Sequence, residues 1–476
     1  MFFLIAALLI AATFATKITS KFGIPILLLF LGIGMLIGSD VLNLIYFDNA
    51  ILTQKVANIA LIFILFEGGF HTRRESLQFV FGPALTLATF GIVLTAAILG
   101  LLIYSVTDFD FLYSFLIGSI ISSTDAAAVL MILRQQTIKK QVSTTLEVES
   151  AANDPMAILL TSVTIQIISG QTKHVASFLL HLTWQLGGGI LIGWIIGKLA
   201  AYLFDHLKAE NRGYYHVLSI AVSLLAFGSA DVIKSSGIIA VFFAGYWLGN
   251  ADFVYRRGVS YFIEGISTFS NMAIFLLLGV LVFPKSLLPV WREGLLITFL
   301  MIAVARPLTV LICTWPFQFH IREKLFLMWG GIKGAVPIVL ATYPAVAGID
   351  ENHFIFNIVF FAVFVSCLAQ GTTISWVASK LRLCLPAGPK AMHSIELMTM
   401  RKTDIDVFEI QIPTTSRIDG AKIHEIPLPS DTLILAIMRG HQIIPPKGYT
   451  ILKKQDILFV IASSKDIERI SATLSQ

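Results

Sequence analysis

Residues 115–133 read FLIGSIISSTDAAAVLMIL, an apolar run whose centre is occupied by four polar residues, Ser122, Ser123, Thr124 and Asp125. A helix needs about 20 apolar residues to cross the hydrocarbon core of a membrane. Ser, Thr and Asp side chains compete for backbone hydrogen bonds, so this run predicts a helix that breaks in its middle. Residues 325–345 carry a matching interruption, Gly330-Gly331-Ile332-Lys333-Gly334, with Pro337 close behind. Non-helical backbone at membrane depth survives only where protein or a water-filled cavity satisfies it. The two breaks therefore belong together inside a bundle.

The composition agrees. Charged residues make up 13% of the 476 residues, against roughly 25% in a soluble domain, and hydrophobic residues reach 56%. That excludes a soluble enzyme, a disordered chain and a nucleic-acid partner. The formal charge of +5 is no phosphate-seeking patch, and the three cysteines lack metal-ligand or disulfide spacing. Thirteen apolar segments read as membrane helices, at about 1–16, 24–38, 52–70, 80–104, 111–133, 146–169, 183–204, 214–232, 237–250, 262–283, 294–315, 325–345 and 353–379. The first lacks a basic start and is followed by Lys17 and Lys21, which favours an uncleaved helix over a signal peptide. Alternate loops then hold 16 basic residues and the opposite loops hold 5. Cytoplasmic loops are the basic ones, which predicts a cell-membrane protein, N-terminus outside and C-terminus cytoplasmic.

The interrupted helices are the fifth and the twelfth. If helices 1–6 and 8–13 form two repeats joined by helix seven, both breaks fall at position five, in opposite orientations. Discontinuous helices at equivalent places in inverted repeats point to a transporter binding site. The expected fold is a polytopic all-α membrane protein: thirteen transmembrane helices, two inverted six-helix repeats and crossing discontinuous helices.

Ionisable residues inside the apolar stretches sharpen this, because each costs a few kcal/mol unless paired or hydrated. Asp231, Glu264 and Glu67 read as helix-end charges. Glu149-Ser150-Ala151-Ala152-Asn153-Asp154-Pro155 is different. Ser150 and Asp154, four apart, share one helix face. Glu149 points elsewhere and needs its own partner, for which Arg306 in Ala305-Arg306-Pro307 is the best candidate. Lys333 can compensate the opposed ends of two half-helices. A mid-membrane carboxylate beside a second carboxylate and freed carbonyls can hold a hard cation. The same group, desolvated, can hold a proton instead. A site that takes either ion but not both exchanges them as it alternates between sides, with no cofactor. No P-loop is present, which excludes ATP-driven pumping.

Those motifs, Ser122–Asp125 with the alanines behind it, Glu149 to Pro155, Ala305-Arg306-Pro307 and Gly330 to Gly334, together resemble the monovalent cation/proton antiporter-1 family. This is the sodium/proton exchanger, NhaP-like group, with an NhaA-like arrangement of crossing helices. The resemblance spans residues 1–385. It implies a homodimer, each protomer with a dimerisation domain and a mobile core. It also implies that Asp154 carries the cation or proton, that Ser150, Thr124 and Asp125 complete the monovalent-cation shell, and that Asn153 supports it. Glu149 with Arg306 would be a structural ion pair. The family usually has Arg where Lys333 stands, so the charge is kept and the planar fork is lost.

Beyond residue 385 the charged fraction doubles, and Pro386, Gly388 and Pro389 punctuate the change. Residues 386–403 read as a linker and 404–476 as a small cytoplasmic α+β unit. Strands are expected at Val407–Ile412, Thr432–Met438 and Asp456–Ala462, with a short helix at Gly420–Ile426 and an amphipathic one at Lys465–Leu474. The stretch from Ile434 through Pro445, Lys447–Leu452 and Gln455–Leu458 looks like an RCK_C (TrkA-C) domain. The resemblance implies a dimeric ligand-sensing domain, with cyclic di-AMP as one candidate ligand. The expectation is thus an electroneutral cation/proton antiporter, not an enzyme, regulated by its tail. Potassium is favoured because of that tail, sodium is the alternative, and a ligand-gated cation channel is the remoter one.

Overall fold

The computed structural model describes residues 26–38, 40–125, 137–170, 175–207, 211–350 and 353–385. In the tail it describes 405–412, 420–429, 432–439 and 442–463, with a few isolated positions besides. The chain divides into two compact units, residues 1–251 with 259–385, and residues 386–476 with the stretch 252–258.

The first unit is a helical bundle: α1 (Ile26–Ile37), α2 (Ala50–His71), α3 (Arg74–Ala88), α4 (Phe90–Val106), α5 (Phe111–Ile121), α6 (Lys140–Ile168), α7 (Val175–His206), α8 (Gly213–Val232), α9 (Gly237–Gly249), α10 (Arg256–Leu281), α11 (Trp291–Thr314), α12 (Ile321–Trp329), α13 (Ala335–Leu340), α14 (Thr342–Val346) and α15 (Phe354–Lys380). Among the described residues, eight helices are long and apolar enough to cross a membrane, and four shorter apolar ones join them. The protein is a polytopic, mostly helical membrane protein. The first expected helix, 1–16, lies largely outside the described residues.

Most boundaries fall near those expected, with one informative difference. The fourth segment begins earlier than expected, at Arg74, is kinked at Val80 with Pro83 just beyond, and is only locally distorted at Thr89, where α3 passes into α4. Proline removes a backbone donor and crowds the preceding turn; beyond the kink, Val80–Val106 is a single apolar span, close to the expected 80–104.

Packing separates the helices into groups. The helices α2, α7, α8 and α9 pack on one another, while α3 to α6 pack with α11 to α15. In lipid, helices associate through close backbone approach rather than a hydrophobic drive. Accordingly, a Cβ at Gly245 or Gly249 of α9 would collide with the backbone of Phe66 or Phe70 in α2. Few contacts join the groups. One is Tyr343 of α14, whose hydroxyl donates to Asn58 Oδ1 of α2 at 2.7 Å.

After α15 the chain forms β2 (Cys384–Leu385), which pairs antiparallel with β1 (Thr137–Ile138) just before α6. The second unit holds a four-stranded antiparallel sheet, β3 (Ile405–Gln411), β4 (Leu433–Arg439), β5 (Gln442–Ile444) and β6 (Ile457–Ser463), in the order β3-β6-β4-β5. Ile410, Ile434, Ile437, Leu458 and Val460 from these strands form its buried core with Ile412, Leu452 and Ile470. The expected helix at Gly420–Ile426 is only a 3-10 turn, Ile423–Glu425. Gly420 adopts a left-handed φ of 89°, and Lys422 bridges to Ile451, which pins the segment in an extended path. The expected helix at 465–474 lies mostly outside the described residues.

Candidate functional site

Helix α5 ends at Ile121 with Ser122 as its cap, and the chain is non-helical from there through Asp125. Helix α12 ends at Trp329, and residues 331–334 are non-helical before α13 begins. The two breaks touch directly. The backbone N–H of Asp125 donates to the carbonyl of Ile332 at 2.7 Å. This approach needs glycine, since a Cβ at Gly334 would lie 2.5 Å from an Asp125 carboxylate oxygen.

A helix end leaves its last carbonyls without partners, and buried ones must be satisfied. Lys333, 2% exposed, donates from Nζ to the carbonyls of Ser122 and Ser123 at 3.1 and 3.0 Å. It therefore serves one of the two opposed ends. The C-terminal end of α12 is served by other residues: Arg306 Nη2 donates to Leu327 O at 3.1 Å, and Gln370 Nε2 donates to Trp329 O at 3.0 Å. Gln370 was not singled out in the sequence. A lone polar residue in an apolar helix carries no motif.

Helix α6 crosses beside these breaks. Ser150 donates to the carbonyl of Thr124 at 2.6 Å, and Asn153 Nδ2 donates to Thr124 Oγ1 at 2.6 Å. Asp154 is the fifteenth of this helix's 29 residues, so it lies near mid-length. Pro155 supplies no N–H, which leaves the Ala151 carbonyl without its intrahelical donor. Asp154 lies within electrostatic reach of Asp125 and Lys333. Ser150, Asn153 and Thr124 are buried, whereas Asp154 and Asp125 each keep accessible surface. Two neighbouring carboxylates thus stand among buried polar supports.

Glu149 faces away from this cluster and meets Arg306 in a two-pronged pair, at 2.5 and 3.1 Å, with both residues nearly fully buried. Arg306 follows a π-helical turn, Met301–Ala305. Its N–H bonds back to Met301 O, and Pro307, next in line, has no N–H to give. Single π turns recur at functional sites. A Cβ at Gly331 would lie 2.7 Å from Arg306 Nε.

The eight residues expected at the ion site and its supports, Thr124, Asp125, Glu149, Ser150, Asn153, Asp154, Arg306 and Lys333, lie together around the crossing. Interrupted helices that meet beside two carboxylates inside a bundle of apolar helices define an ion-coupled membrane transporter. The chain belongs to the sodium/hydrogen exchanger transmembrane family, whose pattern matches residues 5–380. Residues 407–475 match the TrkA-C domain. A potassium/proton antiporter, NhaP2 of a Shewanella species (strain MR-4), is 36% identical over all of this chain and 83% of its own length. The potassium/proton antiporter NhaP of Alkalimonas amylolytica is 33% identical over 99% of the chain and 82% of its own. Among solved structures, the sodium proton antiporter MjNhaP1 of Methanocaldococcus jannaschii superposes with a TM-score of 0.70. It shares 26% identity and covers 79% of this chain and 97% of that one.

Proposed function

We propose that the chain exchanges potassium for protons across the cell membrane by alternating access at Asp154. The observation that carries this reading is the pair of carboxylates, Asp125 and Asp154, at the crossing of two broken helices. Thr124, Ser150 and Asn153 hold the crossing together, and oxygens of Asp154, Asp125, Thr124 and Ser150 form the monovalent-cation shell. Glu149 and Arg306 brace the site from behind. Lys333 neutralises the helix end that would otherwise face the carboxylates. One negative charge at Asp154 accepts either a cation or a proton, so loading one ion displaces the other.

The wider arrangement follows the same reading. Thirteen transmembrane helices form two inverted repeats in a homodimer, with residues 1–385 as transport domain and 386–403 as linker. Residues 404–476 form a cytoplasmic α+β regulatory domain that responds to a small ligand, cyclic di-AMP being one candidate. The match to relatives named potassium/proton antiporters runs through the tail. Sodium exchange is the second reading, because relatives named for sodium match the membrane part: an archaeal sodium/proton antiporter is 30% identical over 70% of this chain.

Everted vesicles with a pH-sensitive dye test the cation. Potassium added at matched ionic strength is expected to dequench the dye more strongly than sodium; a response to sodium alone would transfer the assignment. Asn153 stands beside Asp154 where electrogenic transporters carry a second carboxylate, so one cation is expected per proton. An imposed membrane potential should then drive no flux, and clear potential-driven flux would refute electroneutrality; cation-driven proton movement that persists with the potential clamped excludes a channel.

A further inference from the structure

The β1–β2 clasp joins three parts of the first unit. Thr137 lies opposite Leu385 and Ile138 opposite Cys384, and the Lys139 N–H donates to Leu383 O at 3.3 Å. Lys139 immediately precedes α6, the helix that carries Ser150, Asn153 and Asp154. Its ammonium donates to Glu323 Oε1 at 2.6 Å. Glu323 is 1% exposed, and its other oxygen accepts from the His320 N–H at the start of α12. One short clasp thus holds the end of α15, the start of α6 and the start of α12.

The chain leaves this clasp at Leu385, and the next described strand, β3, begins at Ile405. Any pull from the tail along the chain reaches Leu385 first. A ladder of two residue pairs is marginal by itself, so its closure depends on what the chain on either side of it does. Closed, it fixes the starts of α6 and α12 relative to each other. These are the two helices whose inner portions meet α5 at the ion site.

We infer that this clasp is the mechanical link between tail and transport site. The closed clasp restrains α6 and α12 and slows exchange. Tension from the tail peels β2 from β1, loosens Lys139 from Glu323 and frees the helices. This rests on the reading of the protein as an antiporter regulated by its tail, and it names the route of that regulation.

The native Cys384 supplies the test. Ile138→Cys puts a second thiol opposite it, at a cross-strand spacing that a disulfide can span. In everted vesicles of the full chain, oxidation is expected to slow potassium-driven exchange about fivefold, the low end of usual allosteric coupling. Reductant should restore it. Inserting about 12 Gly and Ser residues after Gly388, a flexible spacer, slackens the link and should slow exchange to a similar degree. In that variant oxidation should then add little, because two changes acting through one element do not add. Thr137→Cys with Leu385→Cys, in a Cys384→Ser background, supplies the same lock if the first variant folds poorly. A locked clasp that exchanges as fast as the same variant after reductant overturns the inference. So does a spacer without effect in a chain that the lock slows. Wild-type vesicles with no exchange would refute the antiporter reading instead.

Discussion

Asp154→Asn is expected to abolish exchange with potassium and sodium alike while leaving the protein folded. Asparagine keeps the shape and removes the charge. At about 3–4 Å from a bound cation and an effective dielectric near 20, that charge contributes roughly 4–5 kcal/mol, a thousandfold or more in affinity. The substituted side chain also has no proton to give up, so neither half of the exchange survives. The protein should still fold, because asparagine keeps the shape and hydrogen-bonding capacity of the side chain and several polar bonds at the crossing run through Ser150, Asn153 and Lys333. Dye dequenching in everted vesicles reads the activity, and size-exclusion profiles in detergent read the fold. Asp125→Asn should be milder, since a carboxylate remains at Asp154. A well-folded Asp154→Asn protein that still exchanges would remove this residue from the transport role.

How much of this was legible in the sequence follows from the kind of signal each part leaves. Membrane helices announce themselves by length and apolarity, so their positions could be read to within a turn or so in most cases. The breaks were legible because Ser122–Asp125 and Gly330–Gly334 are polar or glycine-rich runs where lipid tolerates neither. The partner of Glu149 was legible because few buried charges were available to balance it. The partners of Lys333 were not. They are two backbone carbonyls, Ser122 O and Ser123 O, and backbone atoms carry no residue-type signature. That geometry also explains why lysine suffices there. Two neutral carbonyls can be served by a compact three-donor ammonium, whereas a planar fork is what grips both oxygens of one carboxylate, as Arg306 grips Glu149. The clasp and the kink at Val80 escaped for another reason: both depend on which segments meet in space.

The Glu149–Arg306 pair tests the division between scaffold and site. Glu149 is 1% exposed and Arg306 4% exposed, and the guanidinium also holds the Leu327 carbonyl near the end of α12. Glu149→Ala leaves a buried cation without its counter-ion, and Arg306→Ala leaves a buried anion. Stripping one partner of a buried pair typically costs about 3–5 kcal/mol, a large share of the roughly 5–15 kcal/mol that holds a typical protein folded. Either single substitution is therefore expected to lower the unfolding temperature sharply and reduce the amount of folded protein in the membrane. Removing both charges, as Glu149→Leu with Arg306→Met, should recover much of that loss, because an apolar pair of similar volume avoids the unbalanced charge. Recovery should be incomplete, since Leu327 O is left without its donor and a buried unsatisfied carbonyl costs about 1–3 kcal/mol. The double variant, where it folds, should keep a cation KM close to that of the unaltered protein, because neither side chain faces Asp154. Thermal unfolding in detergent and cation titrations in proteoliposomes read the two quantities separately. A single variant that stays stable but shifts the cation KM would show that this pair takes part in ion binding and does not merely hold α6 against α11.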